Sequence, residues 1–190
     1  MRLLQRLFGS NVLDPAANGL YSAIVEQARR PEFYLDLGAP DTVEGRFDMI
    51  ILHAVLLMRR LKRGDQAAHD LSQAVFDLMF ADMDRNLREM GVGDLAVGKR
   101  VKKMAQAFYG RLVAYGEGLD RPDESGRISL AGALERNLYA ATETAPGKIA
   151  AMVAYLISEA DALNEQDIDE ITAGRVAFGA PPEVADEENP

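Results

Sequence analysis

The chain has 190 residues, with 21 Lys and Arg against 30 Asp and Glu, a net charge of -9 and a pI near 4.8, which excludes a nucleic-acid binder held by bulk charge. Zero cysteines exclude a thiol nucleophile, a thiolate zinc site and a disulfide framework. The acid excess is C-terminal: residues 1–158 hold 20 basic and 20 acidic side chains, whereas residues 159–190 hold 1 basic and 10 acidic.

The length suits one domain, expected over residues 18–178 between an N-terminal segment at 1–17 and an acidic tail at 179–190. In the first segment Arg2 and Arg6 stand beside Leu3, Leu4, Leu7 and Phe8, the mixture of a short interfacial helix, although a frayed turn packed on the domain explains it as well. The apolar core and small-residue cleavage site of a secretory signal are absent. Asn18 is expected to cap a helix through Arg30 with Leu20, Ile24, Val25 and Ala28 inward, and Pro31 opens a short helix ending at Gly38. Asp41 and Glu44 resemble a capping box for a central helix to about Arg63. Its run Met49–Met58 is ten residues long, short of the roughly twenty that span a bilayer, so it is expected at the centre of the core of a soluble chain. Arg59, Arg60, Lys62 and Arg63 suit its negative dipole end.

Gln66–Met90 and Asp94–Gly116 are expected to pair as a long helical hairpin across a short turn, with Gly91 at a helix C-terminus. The first carries Leu71, Val75, Leu78, Met79, Met83, Leu87 and Met90 at helical spacing. Gly118–Arg127 reads as the longest polar insertion and the most mobile internal loop. Ser129 is expected to cap a helix carrying Leu130, Leu134 and Leu138, and Thr144 with Pro146 introduces another with Ile149, Met152, Val153, Leu156, Ile157 and Ala160 inward. Asn164–Phe178 is a weaker last helix interrupted by Gly174, and the tail lacks the apolar residues to order itself. Periodicity is helical throughout, so the fold class is all-α with about seven helices.

Against the acidic whole, Lys99, Arg100, Lys102 and Lys103 place four cations within five residues. At about 100° per residue, Val97, Val101, Met104, Phe108, Leu112 and Tyr115 form one stripe, with Lys99 and Lys103 opposite it and Arg100 and Lys102 on its flanks. Asp94 is a suitable N-cap, which puts these cations in the first turns, where the macrodipole disfavours them. Stability therefore does not explain them, and an anionic partner does; a solvated polar face is the plainer alternative. Gly93 to Lys99 also has P-loop spacing, but Arg100 stands where a Ser or Thr would reach magnesium, and a helix precedes it instead of a strand.

Other chemistry is thin. His53 and His69 fall in no zinc spacing, and His53 within the apolar run suits a histidine bonded to a nearby carbonyl or carboxylate. Asp77, Asp82 and Asp84 crowd one helix without the Glu-x-x-His pairs of a di-metal bundle, and Arg85 and Arg88 can pair with them. No serine sits in a nucleophile elbow, so the expectation is no catalytic residue, no metal and no cofactor.

The succession ARRPEFYLDLGAPDTVEGRFDMIILH (28–53), LSQAVFDLMFADMDRNLREMGVGDLAVGKRVKKMAQAFYGR (71–111) and LERNLYA (134–140) resembles the ubiquinol-cytochrome c chaperone family, over roughly residues 18–178. The resemblance implies a non-enzymatic assembly factor for ubiquinol-cytochrome c reductase, respiratory complex III. Its implied partners are cytochrome b or another complex III subunit, with a small partner protein or the ribosome in mitochondrial members and no specific DNA. No targeting presequence stands out, so the expected place is the cytoplasm, peripheral to the inner membrane of a bacterium, or the matrix side in a eukaryote. On physical grounds the candidate partner-binding residues are Lys99, Arg100, Lys102, Lys103 and Arg111, facing acidic loops or anionic lipid headgroups. A ribosome- or RNA-binding module is the alternative, and a small-molecule enzyme with a site assembled only in three dimensions is the other.

Overall fold

The computed structural model describes residues 14–183, and among them there are eight helices and no strand. Helix α1 (Pro15–Ala28) begins earlier than expected: the Asp14 carboxylate accepts from the backbone N–H of Ala16 at 2.9 Å and of Ala17 at 3.4 Å, and Pro15 pre-sets the first turn. Asn18 therefore lies inside the helix, where its side-chain amide donates to Asp14 O at 2.8 Å. The first helix thus takes in part of the segment expected at 1–17, and residues 1–13 lie outside the described residues. The short α2 (Glu32–Leu35) follows Pro31 and stops before Gly38, whose φ of +72° is the left-handed conformation that glycine adopts without strain.

Helix α3 (Val43–Leu61) is capped by Thr42, which accepts from Gly45 N–H at 3.0 Å, and not by Asp41, which pairs with Arg46 at 2.5 Å. Fourteen of its 19 residues are buried, so it can face water nowhere along its middle and must sit at the centre. It packs against α1, α4 (Gln66–Glu89), α5 (Asp94–Leu119) and α7 (Pro146–Glu165), while α6 (Glu124–Arg136) bridges α5 and α7. Two of the cations at its C-terminal end serve other helices. Arg59 donates to Leu119 O at 3.2 Å and pairs with Asp120, and Arg60 donates to Leu163 O and Gln166 O at 2.8 and 3.0 Å. They satisfy carbonyls that the ends of α5 and α7 leave open.

Helices α4 and α5 join through a short turn at Gly91, φ +80°, as expected of a hairpin. Two details differ. Met90, expected inward, is exposed at the corner, and Gly93 is the cap residue of α5, because Asp94 is already helical and pairs with Arg88. Helix α5 also continues to Leu119 and packs more extensively on α6 than on α4. The stretch 118–127 is consequently no long loop. Asp123 caps α6 by accepting from Gly126 N–H at 3.2 Å, so Ser129 falls inside the helix. Gly118 and Gly126 are both buried, and a Cβ on Gly126 would meet Gly118 O at 2.6 Å and Arg121 O at 2.0 Å, so the turn closes only with glycine there.

The C-terminal region is tied down by polar contacts. After α7, Asp167 caps the five-residue α8 (Ile168–Thr172), which ends at Gly174, φ +88°; the last helix is thus much shorter than 164–178. Beyond it Gln27 Nε2 donates to Gly179 O at 2.7 Å and Gly179 N–H donates to a Glu159 carboxylate oxygen at 2.9 Å. Phe178 meets the His53 ring edge-on at 5.3 Å, and Pro181 is buried. Gly179 and Pro181, at the start of the segment expected as an acidic tail, thus lie against the helices, and residues 184–190 lie outside the described residues.

Candidate functional site

The side chains with the most obvious chemical potential are already committed. His53 Nδ1 lies 2.8 Å from Met49 O, which can only accept, so Nδ1 carries the proton and Nε2 accepts from the Tyr155 hydroxyl at 2.9 Å. Tyr155 in turn accepts from Gln27 at 2.8 Å. Burial pushes the His53 pKa down to about 4, so the ring stays neutral within this chain. Its expected structural role is what the geometry shows. His69 Nε2 lies 3.1 Å from Lys62 O at the surface. Of the carboxylates on α4, Asp82 accepts from Tyr21 and pairs with Arg85, Asp84 pairs with Arg88, and Asp77 accepts from Gln73. Among the described residues no three His, Asp or Glu side chains group to hold a metal ion. Gly93 to Lys99 lies at a helix start after another helix, which removes the strand a P-loop needs.

What stays open is a groove of about 870 Å³ between the C-terminal half of α3, the N-terminal half of α4 and the C-terminal half of α5. Its floor is aromatic. Phe76 stands 5.2 Å from Phe108 and 5.6 Å from Tyr109, and Phe76 and Phe80 are 4.6 Å apart, which fixes α5 on α4 and leaves Phe76 and Tyr109 facing outward. Val55, Met58, Leu112 and Val113 complete the apolar lining, with Tyr109 54% and Val113 59% exposed. Gly116 lines the groove where an added Cβ would meet nothing within 4 Å, so packing within the fold does not call for glycine there. One end is polar, with Arg59, Lys62, Arg63 and His69 facing Glu117 and Asp120. Arg63 is partly engaged, donating to Asn164 at 2.7 Å.

The five sequence-selected cations divide. Lys99, Arg100, Lys102 and Lys103 are all exposed on the first turns of α5, with Val97 buried beneath them. Arg111 is not part of that surface: its side chain is only 13% exposed and pairs at 2.8 Å with Asp48 of α3, itself 11% exposed. Burial raises the Asp48 pKa to about 6 against the lowering effect of Arg111. The reason is rotational. At 100° per residue Arg111 falls on the same side of α5 as Met104, Phe108 and Tyr115, whereas Lys102 falls on the side of Tyr109 and Val113.

The apolar groove went unnoticed in the sequence, although a signal existed. Tyr109 and Val113 each follow a stripe residue, Phe108 and Leu112, giving α5 more apolar width than one packing face needs. The groove runs along α5 toward the basic turn, since Tyr109 and Lys102 are seven residues apart on one side, about 10 Å along the axis. No helix of the described residues is long and apolar enough to cross a membrane.

Comparison with known proteins gives this surface a context. The ubiquinol-cytochrome C chaperone family profile matches residues 35–178. The chain is similar to ubiquinol-cytochrome c reductase complex assembly factor 1 of Mus musculus, 26% identical over 156 residues, which take in 80% of this chain and 52% of the mouse protein. It is also similar to the Xenopus laevis protein of that description, 28% identical over 152 residues, 80% of this chain and 74% of the frog protein. The chain thus spans about half the length of the mouse relative. Among solved structures it is similar to the crystal structure of the Cbp3 homolog from Brucella abortus, with a TM-score of 0.78 and 36% sequence identity, covering 95% of this chain and 97% of that chain.

Proposed function

Because this chain belongs to the ubiquinol-cytochrome C chaperone family, we infer that it is a non-catalytic assembly factor for ubiquinol-cytochrome c reductase, holding newly made cytochrome b beside the membrane until cofactors and partner subunits arrive. The structural observation that carries this reading is the open groove of α3, α4 and α5. A fold able to bury the whole middle of α3 leaves Tyr109, Val113 and part of Phe76 uncovered in one channel, the kind of surface that receives the apolar face of a helical segment. The polar end, with both signs of charge, would fix the direction in which such a segment lies. Lys99, Arg100, Lys102 and Lys103 extend the contact surface along α5, while Arg111 supports it from within.

The test is capture from membranes of the native host by the purified chain and by Tyr109→Glu/Val113→Glu. Both positions are exposed, so the variant should keep its melting temperature. The parent should recover cytochrome b, and the variant should recover on the order of tenfold less, as expected for charges placed in an apolar contact. Equal recovery would remove the groove from the reading. Recovery of RNA in a salt-sensitive manner, with no complex III subunit, would favour a ribosome- or RNA-binding module instead.

A further inference from the structure

The corner between α4 and α5 sets beside the four cations two apolar side chains that neither folding nor the groove uses. Leu95 is 91% exposed in the first turn of α5, and Met90 is exposed just across the turn. Around them, Arg88 to Lys103 carries five cations and two carboxylates. Arg88 is shared between Asp94 and Asp84 of α4, so it offsets one of those two carboxylates, and the other stands with Glu89 against Lys99, Arg100, Lys102 and Lys103. The amino-terminal end of α5 adds its own positive potential. Gly91, Gly93 and Gly98 have open space where a side chain would stand, so no other part of the fold covers the corner at these positions.

We propose that this corner is a docking surface for an anionic lipid bilayer, with Leu95 and Met90 entering the headgroup region and Lys99, Arg100, Lys102 and Lys103 binding lipid phosphates. The charge selects an anionic partner, and the two exposed aliphatic side chains select one with an apolar interior a few ångströms below the phosphates. A nucleic acid supplies the charge alone, and the corner has no aromatic ring on which a base would stack; Tyr109 is two turns away. A rigid acidic protein would need an extensive complementary surface, whereas the apolar contribution at this corner comes from Leu95 and Met90. The proposal builds on the assembly-factor reading, because docking here would hold the groove beside the membrane in which the client resides. The surface is nevertheless testable without the client.

The experiment is vesicle flotation of the full chain with phosphatidylcholine alone and with phosphatidylcholine doped with phosphatidylglycerol. The chain should float with the anionic vesicles, and added salt should release it. Each cation near such a surface is worth about fivefold in partitioning, so Lys99→Glu/Arg100→Glu/Lys103→Glu, which removes three cations and adds three repelled anions, should lose binding by at least about a hundredfold. Leu95→Asn should lose several-fold at unchanged charge. If the triple variant does not fold, Lys102→Gln/Lys103→Gln, which introduces no new charge, makes the same comparison. Equal flotation with both vesicle types, no flotation, undiminished binding by the charge variants, or displacement by a single-stranded RNA homopolymer at equal phosphate would each overturn the proposal. A parent that captures cytochrome b but ignores vesicles sinks the lipid surface and leaves the function standing; one that floats yet captures no complex III subunit does the reverse.

Discussion

Helix α3 buries fourteen of its 19 residues and α5 only four of its 26, although both carry apolar residues at helical spacing. The difference shows where this fold spends its cohesion. Helix α3 is surrounded, so its side chains are fixed by shape and its single histidine by a closed hydrogen-bond chain. Helix α5 is held on its inner side by Phe108, Tyr115, the Arg111–Asp48 pair and the Gly118–Gly126 crossing, with Met104 and Leu112 partly buried beside them. Its outer side carries the exposed Lys99, Arg100, Lys102, Lys103 and Tyr109.

The largest effect that tests this contrast is a charge in α3. Leu57→Asp should destabilise by more than about 4 kcal/mol, since an unpartnered carboxylate would enter the core at a fully buried position. Urea denaturation reads it directly, and an unchanged midpoint would mean that α3 is not the centre. Next comes a comparison within α5 itself. Arg111→Ala leaves Asp48 buried and unpaired and should cost about 3–5 kcal/mol, whereas Lys99→Ala should stay within about 0.5 kcal/mol. Similar losses at both positions would erase the distinction between the inner and outer faces.

Acid titration sharpens the same comparison with opposite signs. The His53 pKa is held down near 4 in the fold against 6.5, so its contribution to stability is present above the unfolded value and is lost as pH falls from about 6.5 toward 4. The Asp48 pKa is raised to about 6 from 3.8, so the fold binds its proton first and its contribution grows over nearly the same descent. Asp48→Asn should therefore steepen the loss of stability on acidification, and His53→Gln should flatten it. Each change in slope is bounded by about 1.4 kcal/mol per pH unit. Parallel slopes in the two variants would show that neither group is buried as described.

The smallest effect concerns the glycines of α5. Gly98 and Gly110 lie within the helix with nothing near an added Cβ, so alanine at either should stabilise the chain by about 0.5–1 kcal/mol. Gly126→Ala should destabilise it, because the new methyl group meets backbone on two sides. A melting curve that moves the same way for all three would contradict the open outer face.

The sequence by itself determined the helical class, the apolar centre at Met49–Met58, the α4–α5 pairing, the buried structural role of His53 and, through long stretches of resemblance, the family. Each of these depends on local periodicity or on a continuous segment. The sequence also located the exposed cations Lys99, Arg100, Lys102 and Lys103, because a stripe on one helix fixes what lies opposite it. It misjudged residues whose partners come from elsewhere in the chain. Arg111 resembles a surface cation until Asp48, 63 positions earlier, is brought to 2.8 Å. Arg59 and Arg60 look like local dipole partners until the ends of α5 and α7 arrive beside them. Gly118–Arg127 looks like a loose insertion until two glycines let the backbones touch. The groove exists only between three helices, and no helix alone encodes it, since a cavity is the space that packed neighbours leave unfilled.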